Sequence, residues 1–134
     1  MTRKRSVAMA VFTCALAWVA GPAHALPADN GSTWAGTMAA DTGKTLRVVA
    51  TFGEGAVSLR FGEPAACAID AGVLRADAGS RTYRFKVSRN GGPFCAKLYP
   101  GELSLTVIAA DAFETSFRRQ QTVWSGRLER VVER

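Results

Sequence analysis

From Lys44 onward the chain alternates apolar and polar residues, and each alternating run is cut by glycine, proline or asparagine. A period of two is the mark of a strand with one face buried, because successive side chains point to opposite sides of a pleated ribbon. Leu46, Val48, Ala50 and Phe52 share one face, and Arg47, Val49 and Thr51 the other. Gly53-Glu54-Gly55 then turns the chain. Val57, Leu59 and Phe61 resume the inner face with Ser58 and Arg60 outward, which predicts a β-hairpin.

The clearest run is residues 82–88, where Tyr83, Phe85 and Val87 alternate with Arg84, Lys86 and Ser88. Asn90-Gly91-Gly92-Pro93 ends it, since successive glycines supply the positive-φ positions of a reversal and proline cannot donate to a ladder. Residues 94–98 are read as the next strand, followed by a turn at Tyr99-Pro100-Gly101. Leu103, Leu105 and Val107 face inward in another strand, then Phe113, Thr115 and Phe117, then Trp124, Gly126 and Leu128. Only residues 64–71, rich in alanine, and 128–134, with Leu128, Val131 and Val132 near helical spacing, argue for helix. Both are short, and helices under about 12 residues are marginal without packing. The expected fold is all-β: a small antiparallel up-and-down barrel or sandwich of eight or nine strands.

Two matching fragments favour the barrel. Trp34-Ala35-Gly36 and Trp124-Ser125-Gly126 each put a large ring and a glycine on one strand face. A glycine there leaves room for a neighbouring backbone to lie close. If the first and last strands pair, the sheet loses both edges.

The first 25 residues read as a secretory leader. Arg3, Lys4 and Arg5 precede an apolar run over residues 7–20, and Gly21-Pro22 leads into Ala23-His24-Ala25, a small-x-small cleavage pattern that places the cut between Ala25 and Leu26. The run is shorter than the roughly 20 residues that cross a bilayer. Residues 26–32 form a polar, flexible lead, and residues 33–134 a single β domain. Removal of the leader takes away the only histidine, His24, and one of three cysteines, Cys14. Cys67 and Cys95 remain, and in an oxidising compartment they are expected to form one disulfide. Localisation is thus expected to be periplasmic or secreted.

Several function classes fall away on composition. Of 17 Lys and Arg, three lie in the leader, leaving 14 against 11 Asp and Glu, a modest excess for nucleic-acid binding. Without an imidazole the domain lacks the base of a serine or cysteine triad and a histidine for zinc. The carboxylates Glu54, Glu63, Asp70, Asp77, Glu102, Asp111 and Glu114 sit mostly beside turn residues, as solvated charge does. No catalytic residue, metal or cofactor is expected, nor stable membrane insertion, and the oligomeric state stays open.

What remains is binding. Arg47, Arg60, Arg84, Lys86 and Arg118 occupy outward strand positions. They read either as an ordinary solvated face or as a cationic surface for an acidic partner, since arginine pairs bidentately with carboxylates. Phe94 and Tyr99, flanked by turn residues, are either anchors for a partner or lids on the barrel core.

The order Trp34-x-Gly36, an alternating hairpin, Cys67, Tyr83-x-Phe85, Gly91-Gly92-x-x-Cys95, Gly101-x-Leu103-x-Leu105 and Trp124-x-Gly126-x-Leu128-x-Arg130 resembles small two-cysteine β-modules of secreted bacterial proteins. A looser likeness is to the small β-barrel periplasmic lysozyme inhibitors, which present a serine-glycine-x-x-tyrosine loop to the enzyme's catalytic acid. Gly79-Ser80-Arg81-Thr82-Tyr83 is similar in kind but differs in order and spacing. These resemblances imply a non-enzymatic module that binds an extracytoplasmic protein, as an inhibitor or immunity protein acting on a cell-wall hydrolase or toxin. The partner-binding residues expected are Arg47, Arg60, Arg84, Lys86, Phe94 and Tyr99. The alternatives are a small-molecule or glycan carrier using the barrel mouth, and an envelope-structural protein.

Overall fold

The structure, a computed structural model, describes residues 30–132. The leader, its cleavage point at Ala25 and Leu26, and the start of the polar lead lie outside the described residues. Eight strands follow in order: β1 (Thr33–Ala40), β2 (Thr45–Gly53), β3 (Ala56–Phe61), β4 (Cys67–Asp77), β5 (Ser80–Phe85), β6 (Glu102–Ala109), β7 (Ala112–Arg119) and β8 (Thr122–Arg130). One helical turn, α1 (Pro93–Ala96), lies between β5 and β6. Each strand pairs antiparallel with the next, and β1 pairs with β8, so the sheet is a closed up-and-down barrel.

The glycines of the two tryptophan fragments make the closing seam. Gly36 lies opposite Leu128, and Gly126 opposite Met38. A Cβ on Gly36 would overlap the Arg127 carbonyl oxygen, and one on Gly126 would overlap the Thr37 carbonyl oxygen and come within 2.9 Å of Met38 Cα. Only glycine permits this approach, and it recurs reciprocally on both strands.

The interior is packed rather than hollow. Phe52, Phe61, Tyr83, Phe85, Phe113, Phe117 and Trp124, read as inward from alternation, are all buried. Edge-on ring contacts link Phe61, Phe85 and Phe94 to Phe117, the electrostatically preferred arrangement for aromatic pairs. Thr115 is the one buried polar residue among those described, and its hydroxyl donates to the Ser104 carbonyl at 3.2 Å.

One expected strand needs correction. Residues 94–98 are not a strand. They hold α1 and a turn, because Pro93 after Gly92 starts a helical turn where its missing N–H costs nothing. The strand that completes the eight is instead β4, which starts in the alanine-rich stretch and runs on to Asp77, with Cys67, Ile69 and Ala71 alternating inward. The last strand, expected around Trp124, Gly126 and Leu128, is β8 and reaches Arg130. Two smaller points concern the turns and the lead. Gly91 and Gly92 adopt φ of 70° and 75°, as a reversal requires. Gly31 and Ser32, read as part of the flexible lead, hydrogen-bond with Phe52.

Candidate functional site

The meander gives the barrel two unlike ends. At one, tight turns at residues 54–55, 78–79 and 110–111 join the strands. At the other, four connections converge: 41–44, 62–66, 86–101 and 120–121. The longest, 86–101, folds back over the mouth as a lid. Its Cys95 is bonded to Cys67 at the start of β4, with sulfurs 2.00 Å apart. Its Phe94 ring packs on Phe61, Phe117 and Trp124. Phe94 is therefore a partly buried lid residue packed against the core.

Arg119, at the end of β7, holds the lid from the far side. Its Nε donates to the Phe94 carbonyl at 3.1 Å and its Nη2 to the Pro93 carbonyl at 3.2 Å. Its guanidinium carbon also lies 4.7 Å from the Phe94 ring centroid. Sequence reasoning missed Arg119, because its partners are 25 and 26 residues away and not on a neighbouring strand. Ser88 secures the lid's near side, its hydroxyl lying 2.7 Å from the Gly91 carbonyl and 3.1 Å from that of Ala68.

Just beside the lid's root, three of the expected partner-binding residues meet. Arg84 of β5, Lys86 beyond it and Tyr99 of the lid connection line a surface groove of about 450 Å³, together with Gly72, Val73 and Val87. Alternation assigns Val73 and Val87 to the interior, after Ile69 and Ala71 on one strand and Tyr83 and Phe85 on the other. Neither is buried. A register shift between Val73 and Arg75 interrupts the pleat of β4, leaving Val73 40% exposed. At β5 the chain leaves the sheet for the lid just after Phe85, and Val87 is 69% exposed. With Tyr99 at 51%, these side chains make an apolar floor open to solvent.

The rim of this groove is basic. The Lys86 stem lies over Gly72, its Cε 3.4 Å from where a Cβ would stand, and the missing side chain gives the stem its bed. Arg84 and Arg75 both approach Glu102, at 3.9 and 3.6 Å, as exposed pairs that add little to stability.

The remaining expected residues lie elsewhere. Arg47 and Arg60 project from the outer faces of β2 and β3. Arg60 borders a separate hollow with Arg89, which pairs with Asp70 at 3.3 Å. Arg118 is on the outer face of β7 beside Glu102. The five outward cations therefore do not form one patch. Tyr83, part of the lysozyme-inhibitor likeness, is 1% exposed and belongs to the core.

A second groove, of about 510 Å³, opens at the lidded mouth, where Lys44, Pro64, Pro93, Phe94, Arg119 and Trp124 contribute from all four connections or the strands beside them. It shares no lining residue with the Tyr99 groove. Among the described residues, no cluster of three or more histidine, cysteine, aspartate or glutamate side chains could hold a metal ion. None of their helices is long and apolar enough to cross a membrane. Comparison with protein-family models, with curated proteins and with solved structures finds no match to this chain.

Proposed function

We propose that this chain is a non-enzymatic, extracytoplasmic binding module that docks an acidic patch of another protein against the Tyr99 groove, as an inhibitor or immunity protein does on a cell-wall hydrolase or toxin. The observation that carries this reading is the exposure of Val73 and Val87, two residues the strand pattern would bury, on either side of an exposed tyrosine. Contiguous exposed apolar surface with a polar rim marks interaction sites. Tyrosine and arginine are the residue types that most often dominate their energy. Lys86 has no ion-pair partner among the described residues, so a carboxylate on the partner meets a cation that need not first leave another. The Cys67–Cys95 disulfide is compatible with an oxidising compartment, in keeping with the leader-like N-terminus.

The test is retention from envelope extract on immobilised, oxidised protein spanning residues 26–134, run beside Tyr99→Ala and Arg84→Glu. The expected result is a stoichiometric protein complex on the unaltered domain, weakened at least tenfold by either substitution. A partner retained equally by all three proteins, or no partner at all, overturns the reading.

A further inference from the structure

The mouth groove has a chemistry unlike that of the Tyr99 groove, and we infer that it binds a single-chain amphiphile with an anionic head. Its walls are apolar and come from separate connections: Pro64 from residues 62–66, Pro93 and Phe94 from the lid, with Trp124 and Leu46 as floor. Its ionisable lining residues are both cations, Lys44 and Arg119, with no carboxylate among them. Net positive charge inside a partly apolar hollow favours an anion.

The hydrogen-bonding capacity of the groove narrows the ligand further. Pro64 and Pro93 have no N–H to donate. The Pro93 and Phe94 carbonyls already accept from Arg119, and the Lys44 carbonyl accepts from the Ala40 N–H at 2.7 Å. Beyond the two cations, the Thr45 hydroxyl and the Trp124 indole N–H are the side-chain hydrogen-bonding groups of the lining, so a peptide or a glycan buried here would leave most of its own polar groups poorly matched, which is costly. A hydrocarbon chain loses nothing by lying on two prolines and two rings. Its head group then needs only the Lys44 ammonium and the edge of Arg119 that the lid does not use. Arg119 is held in place by its two lid hydrogen bonds, so its share of the head-group site is formed before the ligand arrives. The volume, about 510 Å³, falls within the range typical of small-ligand sites.

The groove lies outside the filled barrel interior, so the site requires no hollow core. It shares no residue with the Tyr99 groove, and the two proposals stand or fall separately.

Two-dimensional ¹H–¹⁵N NMR of the oxidised protein, titrated with decanoate and decyl phosphate below their micellar concentrations, tests it. Decan-1-ol and decyltrimethylammonium serve as neutral and cationic controls. The Trp124 indole N–H and the Lys44 and Thr45 amides should shift saturably with the anions, while the Trp34 indole at the opposite end stays fixed. The controls should bind at least tenfold more weakly. Lys44→Glu, in an exposed turn, should weaken anion binding tenfold or more and leave the spectrum of the folded domain otherwise intact. Saturation by either anion supports the site, and the tighter of the two identifies the head group. Equal shifts with all four compounds, anion binding unchanged in Lys44→Glu, shifts at both tryptophans alike, or no shift at all would overturn it.

Discussion

The two ends of this barrel close the same core by different means. At the hairpin end the plug is made by the strands themselves: Trp34 of β1, Phe52 of β2 and Phe113 of β7 meet there, with the Trp34 and Phe113 ring centroids 4.1 Å apart. The connections are two-residue turns whose Gly55, Gly79 and Asp111 carbonyls accept from the backbone N–H groups of Val73, Val107 and Arg130. At the lidded end the plug is a 16-residue excursion, 86–101, that brings its own ring and is tied down by a disulfide and by Arg119. A plug built from strands can only fill. A plug built from a loop also has an outer surface and a root, and both grooves described above lie along that loop. The difference shows how a closed barrel, with no free edge to offer a partner, gains binding surface: it lengthens one connection and then stiffens it.

The largest expected effect tests what the ends have in common. Both hang from the β1–β8 seam, so Gly36→Val, which drives a side chain into the Arg127 carbonyl, should destabilise the whole domain by about 4 kcal/mol or more. Gly53→Val, whose added Cβ would meet nothing closer than 3.9 Å, is the control and should be nearly silent. Chemical denaturation of the two variants decides. Equal stability would mean that the seam relaxes around a side chain.

Phe113→Ala next removes a fully buried ring from the strand-built plug and should cost about 3–5 kcal/mol in the same measurement. Phe94→Ala, a partly exposed ring of the lid, should cost visibly less. If the lid ring proves the more costly, the ranking of the two plugs is reversed.

Removing the disulfide with Cys67→Ala and Cys95→Ala together should lower stability by about 3–4 kcal/mol, the chain-entropy value for a 28-residue separation. Hydrogen exchange should show the asymmetry directly. Amides of residues 86–101 should lose protection ahead of those in β1, β2 and β7 at the hairpin end. Uniform loss of protection would show that the lid and the strands unfold as one unit.

The smallest effect is expected from Arg119→Met, which keeps much of the apolar stem and deletes two hydrogen bonds to the lid. These are only partly shielded from solvent, so the expected cost is about 1–2 kcal/mol. The shift in denaturation midpoint should come with faster exchange at Phe94 and Cys95 and no change at Trp34.

The legibility of this chain divides along the same line. Hairpins such as β2–β3 were readable because both determinants are local: a period of two, and a turn with Gly55 at φ 66°. Arg84, Lys86 and Tyr99 were readable as surface chemistry, but nothing along the chain says that they meet, since Tyr99 stands 13 positions beyond Lys86. Val87 was read as core for a sound local reason, and the end of the ladder overruled it; Val73, in a stretch the sequence left unassigned, is exposed at a register shift. The alanine-rich β4 was obscured because alanine, aspartate and glycine carry little strand preference of their own; what holds them is pairing on both sides with β3 and β5.

By itself the sequence determined the all-β class, the inward ring set, the cysteine pair and the glycines that let the barrel close. Each of these depends on side-chain alternation, turn chemistry or residue size, properties carried within a few positions of the chain. The tertiary structure alone decided which connection became the lid, which cations stand together and which apolar residues reach the surface. Those outcomes depend on register and closure, where residues far apart in sequence compete for the same space, and no local pattern encodes the winner.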